Sequence, residues 1–144
     1  MSDAQPYDRF CGLARLQELQ AKGIAAHGGR VGVRDALGPG ATLGAAWTAE
    51  EYGAPPEAVP GLMYAVYLLF YIATKQVFVD GNKRISWLAM CEALACMGLE
   101  VDATVDEAEA LVMAISNNQF KDVEPVFLWV VEHLRELRVG DGQA

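Results

Sequence analysis

Two segments of this chain, residues 62–75 and about 82–97, are apolar nearly all the way round, and only the short stretch 76–81 separates them. A helix with one polar face can lie on a surface, but a helix without one has to be surrounded by protein. The run Val66-Tyr67-Leu68-Leu69-Phe70-Tyr71 taken alone would also pass for a strand, and the length of the whole segment favours a helix. The second segment stops at Gly98, a residue suited to ending a helix. The pattern therefore predicts an all-α fold, a compact bundle of about six helices around two central apolar ones.

The remaining segments supply the surrounding helices. Phe10, Leu13, Ala14, Leu16 and Leu19 recur close to helical spacing over 7–22, with Lys22-Gly23 as the expected stop. Six glycines between Gly28 and Gly44 predict a shaped loop with a short helix near 41–47. Thr48 and Glu51 form a Thr-x-x-Glu capping pattern before a proline-rich break, so 48–61 reads as a short helix or turn. Thr104 and Glu107 make a second capping box ahead of Ala108, Leu111, Val112 and Ile115. A last helix is predicted over about 122–138, closing on Arg135 and Arg138, where cations suit the helix dipole. No strand pattern is long enough to build a sheet, and the tail from about 140 is expected to be disordered. A single domain over 1–144 is expected, since folding a chain of this length buries roughly two-thirds of its unfolded surface.

Composition narrows the function classes. A net charge of -8 opposes non-specific attraction to nucleic acid or to anionic membrane. Three cysteines, Cys11, Cys91 and Cys96, have no metal-like spacing, and the last two fall in an apolar helical pattern, as small hydrophobes do in a reducing compartment. With no signal-like start and no apolar run long enough to cross a bilayer, the expectation is a cytoplasmic protein. The aromatic and methionine side chains Tyr64, Tyr67, Phe70, Tyr71, Trp87, Met90 and Met97 are read as core. Glu92, inside an apolar helix, calls for a cation or a groove.

Against the acidic background, the stretch QVFVDGNKR at 76–84 crowds an acid, a glycine, an asparagine and two cations into five positions. It falls on a connecting loop and the first turn of the second central helix. The first N–H groups of a helix lack internal partners and carry partial positive charge, so Gly81, Asn82 and Lys83 would offer donors to an anion. Lys83 and Arg84 add full positive charge where the helix dipole alone disfavours it. Asp80 is a candidate magnesium ligand beside phosphate oxygens, and Phe78 a candidate anchor of the loop in the core. An ordinary helix start would use the same residues, with Asp80 as N-cap and the cations solvated, and composition leaves both readings open.

KQVFVDGNKR resembles the signature of the Fic/Doc family, H-x-F-x-[D/E]-G-N-x-R, with Phe78, Asp80, Gly81, Asn82 and Arg84 matching together. The lysine after Asn82 is similar to the Doc branch, the death-on-curing toxins of toxin–antitoxin modules. The likeness covers roughly 9–138, and includes the loop glycines Gly28, Gly29 and Gly32 with Asp35. It implies transfer of a phosphoryl or AMP group from ATP or another nucleotide, with Mg2+, to a Ser/Thr hydroxyl of a target protein such as elongation factor Tu, blocking translation. In that reading Gly81, Asn82, Lys83 and Arg84 hold phosphates, Asp80 serves the metal, Lys83 also assists catalysis, and position 76 is the general base. The family's self-inhibiting [S/T]-x-x-x-E-[G/N] helix does not occur in residues 1–144, which implies inhibition in trans by an antitoxin.

Position 76 departs from the signature, with Gln76 in place of histidine. An imidazole can take a hydroxyl proton near neutral pH, whereas a carboxamide hydrogen-bonds without acting as a base. General base catalysis is commonly worth about 10²–10⁴-fold, so rate would fall while binding survived. Three readings stand open: a histidine replaced in the laboratory, a degenerate member that binds nucleotide or a partner without turnover, or a base supplied from elsewhere. The chain has two histidines, His27 beside the glycine-rich loop and His133 in the last predicted helix.

Overall fold

The computed structural model describes residues 4–138. The described chain is mostly helical, in the order α1 (Asp8–Cys11), α2 (Leu13–His27), α3 (Gly38–Gly53), α4 (Leu62–Lys75), α5 (Asn82–Cys96), β1 (Leu99–Val101), α6 (Val105–Ser116), α7 (Glu124–Glu132) and β2 (Leu134–Glu136). The two apolar segments are the central helices. Leu68, Leu69, Ile72 and Tyr64 of α4 and Ile85, Met90, Ala93 and Leu94 of α5 are almost fully buried, and the other helices pack around this pair. Fully burying one such leucine is worth on the order of 1.5–3 kcal/mol, which makes the α4–α5 pair the largest apolar contribution to the fold.

Several expectations are corrected by local chemistry. The first predicted helix is two, because Gly12 is extended (φ -92°, ψ -174°). The break leaves the Cys11 carbonyl free, and the buried Tyr64 hydroxyl donates to it at 2.6 Å. Gly23 does not end α2, which runs on to His27 before Gly28 donates its N–H to Ile24 O. The short helix near 41–47 and the segment after it are one helix, α3, up to Gly53. Thr48 therefore lies mid-helix, its hydroxyl donating to Gly44 O at 2.9 Å, and is not a cap. Glu50 of the same helix accepts from Tyr64 N at 3.1 Å, so α3 satisfies a donor in the first turn of α4.

The C-terminal third is corrected most. The last helix ends at Glu132, and Leu134–Glu136 pairs antiparallel with Leu99–Val101. This short ribbon corrects the expectation that no strand pattern is long enough to build a sheet. Glu100 and Arg135 face each other across it, with Arg135 Nε 2.5 Å from Glu100 Oε2 and Nη1 2.9 Å from Asp102 Oδ1. Arg135 thus serves a cross-strand ion pair in place of a helix end. The capping box at α6 forms as expected, Glu107 N donating to Thr104 Oγ1 at 3.1 Å and Thr104 N to Glu107 Oε1 at 2.9 Å. Glu92 finds its cation in Arg15 of α2, whose Nε lies 2.6 Å from Oε2. The tail expected to be disordered lies outside the described residues. Among the described residues, no helix is long and apolar enough to cross a membrane.

Candidate functional site

The site begins where α4 stops. Gln76 takes a left-handed conformation (φ 54°, ψ 54°) and its N–H still reaches back to Ile72 O. That conformation costs a non-glycine residue on the order of 1 kcal/mol, and it turns the chain sharply out of the helix. Val77 and Phe78 then plunge into the core, Phe78 with no exposed surface. Asn82 fixes the geometry: its Oδ1 accepts from Phe78 N at 2.8 Å and its Nδ2 donates to Phe78 O at 2.8 Å. A buried backbone amide and carbonyl, both cut off from water, are satisfied by one side chain. Phe78 lies in the core, and Asn82 uses its carboxamide on the loop.

Gly81 caps α5 in the left-handed region (φ 84°), where a side chain would be strained, and no side chain satisfies the helix start. Gly81 O accepts from Ile85 N at 2.9 Å. The backbone N–H groups of Asn82, Lys83 and Arg84 are the first of the helix and have no carbonyl within it to bond. The side chains of Lys83 and Arg84 make no ion pair with any described residue. Gln76, Val79, Asp80, Gly81, Asn82, Lys83 and Arg84 together line one cleft of about 330 Å³. The structure thus brings the sequence-predicted polar residues into a single concavity and leaves Phe78 behind it.

The glycine-rich loop lies along one side. Val33 and Phe78 form an antiparallel bridge, Arg34 N donates to Val77 O at 3.1 Å, and Val79 N donates to Gly32 O at 3.0 Å. Arg30 N donates to Asp80 Oδ2 at 2.8 Å, so the loop orients the acid. Gly29 allows this approach, since a Cβ there would stand 3.2 Å from Asp80 Cβ and 2.9 Å from Ile24 Cδ1. Gln20 of α2, almost fully buried, binds both segments of the arrangement: its Oε1 accepts from Gly32 N at 3.2 Å, and its Nε2 donates to Gly32 O at 2.9 Å and reaches Asp80 O at 3.4 Å. Gln20 and Arg30 escaped the sequence reading. The only available signal was a glutamine on the apolar side of α2, and a partner sixty residues away in the chain leaves no local pattern.

Asp80 is the one acid among the described residues that line the cleft, and no group of three His, Cys, Asp or Glu side chains capable of holding a metal occurs among the described residues. One carboxylate with an oxygen to spare is the donor set of a magnesium ion that takes its other ligands from phosphate and water. Neither histidine lines the cleft. His27 is exposed at the end of α2, and His133 stacks on Trp129 with ring centroids 3.9 Å apart and Nδ1 donating to Trp129 O at 2.7 Å.

A second, wider groove of about 800 Å³ shares Lys83 and Arg84 with the cleft and runs along α5 to α6 and the ribbon. Trp87, Cys91, Val101, Val112 and Met113 line its walls. Of the aromatic and methionine side chains read as core, Tyr64 and Met90 are fully buried, whereas Trp87 is a half-buried groove wall. Desolvation raises the thiols of Cys11 to a pKa of about 12 and of Cys91 to about 11, as suits inert apolar fillers.

No curated protein gives a significant match to the chain. The Fic/DOC family matches over residues 13–94, more than half of the length, from the start of α2 to near the end of α5. That span contains the glycine-rich loop, the signature and both central helices, and on it the chain belongs to the Fic/DOC family.

Proposed function

We propose that this domain holds a nucleotide by its phosphates at the start of α5 and is built to transfer a phosphoryl or AMP group to a protein hydroxyl, in the manner of a Doc-like toxin. The family is typically one of transferases that use nucleotide substrates. The observation that carries the reading is the cleft itself, in which two cations with no ion pair among the described residues and a helix start without a side-chain cap among them face the same 330 Å³ as Gln76 and Asp80. Backbone N–H groups and cations preorganised around a phosphate stabilise it without rearrangement when charge develops. Asp80 would hold magnesium, which would supply charge neutralisation between phosphate oxygens.

The apolar groove starts at the same two cations, so a nucleotide held there by its phosphates would have a dry surface for its base. Elongation factor Tu is the target to test first, and an antitoxin acting in trans is the expected inhibitor. Gln76 disables proton acceptance in this form. Replacing it should restore activity: Gln76→His, incubated with ATP labelled at the α or γ phosphate, magnesium and a cell extract, should label a protein, while the parent labels none. Which phosphate appears on the product decides AMP from phosphoryl transfer. A restored variant that labels nothing would sink the transferase reading.

The absence of an imidazole from the cleft also favours a second reading, a module that binds nucleotide and does not turn it over. Both readings need the parent to bind ATP and magnesium in calorimetry, and transfer separates them, because this reading needs none by Gln76→His.

A further inference from the structure

Helix α2 presents one face to the signature, and the residues on it, Gln20, Gly23 and Ile24, follow the i, i+3, i+4 spacing of a helix surface. Gln20 binds the loop, and Ile24 packs against Gly29 and lies near Gly81. Gly23 needs a separate explanation. It is buried in the interior of α2, where glycine costs a helix about 1 kcal/mol relative to alanine. What it faces is Arg84: a Cβ at position 23 would stand 3.1 Å from Arg84 Nη1, 3.4 Å from Cδ and 4.0 Å from Cζ. The same Nη1 is 3.7 Å from a Cβ built on Gly81. The guanidinium is therefore sandwiched between the bare backbone of α2 and the glycine that caps α5. No described carboxylate pairs with it, and no described acceptor takes its N–H groups.

We propose that Gly23 is a positioning residue for the phosphate site, keeping a slot in α2 open so that Arg84 is held over the start of α5 by shape, with its donors uncommitted. An ion pair would fix the side chain as firmly but would neutralise the charge and occupy the forked donors that a phosphate needs. A slot of backbone fixes the stem and leaves the fork available. A methyl group at 23 intrudes by a few tenths of an ångström, and it does so against the guanidinium, which has to move away from its place over the start of α5. The inference rests on the phosphate-binding reading of the cleft.

The test is a double-mutant cycle read by calorimetry, with ATP plus magnesium and inorganic pyrophosphate as probes, accompanied by thermal melts. Arg84→Ala should weaken both probes by about tenfold or more, the usual scale of a charge-assisted contact. Gly23→Ala should weaken them about fivefold while leaving the melting temperature unchanged or higher, because alanine is the better helix former. In the Arg84→Ala background, Gly23→Ala should change affinity by less than about twofold, the coupling that independent sites do not show. Equal losses with and without Arg84, or a Gly23→Ala protein that binds like the parent while Arg84→Ala does not, overturn the role of Gly23 and leave the phosphate site standing. A parent chain that binds neither probe overturns both.

Discussion

Asn82 and Lys83 are neighbours in the signature with opposite tasks. Asn82 is buried and gives its carboxamide to the two polar groups of Phe78, so its removal strands a donor and an acceptor in the core. Asn82→Ala should cost about 2–4 kcal/mol of stability, read as a lower urea midpoint at unchanged slope. A variant that unfolds with the parent would show that Phe78 finds other partners. The Lys83 side chain is exposed and pairs with no described residue, so Lys83→Ala should leave stability within about 0.5 kcal/mol and weaken ATP by about tenfold. The acid, glycine and cations were legible as a candidate anion site because each residue type acts locally at a helix start. The division of labour between Asn82 and Lys83 was not, because it depends on which side chain faces the core.

At the scale of elements, α6 illustrates a helix written almost entirely in its own sequence. Thr104 and Glu107 close the capping box three residues apart, and no distant group is needed. Thr104→Ala should cost about 1 kcal/mol. Hydrogen bonds from Thr104, first from its backbone N–H, hold the Glu107 carboxyl below the usual carboxylate range. Its stabilising effect is thus complete above the unfolded pKa and is lost as pH falls through the lower folded value. The difference in melting temperature between parent and Glu107→Ala should be constant near neutrality and shrink below about pH 4.5. A difference that stays constant into acid would remove the carboxylate from the cap. The last helix was misread for the converse reason. Val130, Val131, Leu134 and Leu137 keep a helical apolar rhythm, and what ends α7 at Glu132 is pairing with β1 and the Glu100–Arg135 contact, made across more than thirty residues of chain.

For the whole molecule, stability should concentrate in the α4–α5 pair. Leu69 has no exposed surface, and Leu69→Ala should cost about 2–5 kcal/mol through lost burial and the cavity left behind. Thiol chemistry reports the same packing. Cys96 is exposed, while Cys11 is buried and Cys91 half-buried. With folded pKa values pushed to about 12 and about 11, Cys11 and Cys91 hold almost no thiolate at pH 8. Iodoacetamide at that pH should label Cys96 first, Cys91 more slowly from the groove, and Cys11 only on unfolding. Early labelling of Cys11 would mean that the α1–α2 break opens in the native protein.

The sequence by itself determined the two central helices, the gathering of an acid, a glycine and two cations at a helix start, and a glutamine where the signature has histidine. Apolar coverage, terminal N–H groups and side-chain basicity are properties of a residue and its near neighbours. Only the tertiary structure decided that Gln20 and Arg30 hold the loop and Asp80, that Gly23 leaves room for Arg84, and that 134–136 is a strand. Those outcomes depend on what lies across a gap between distant segments, and no local periodicity encodes the far side of a contact.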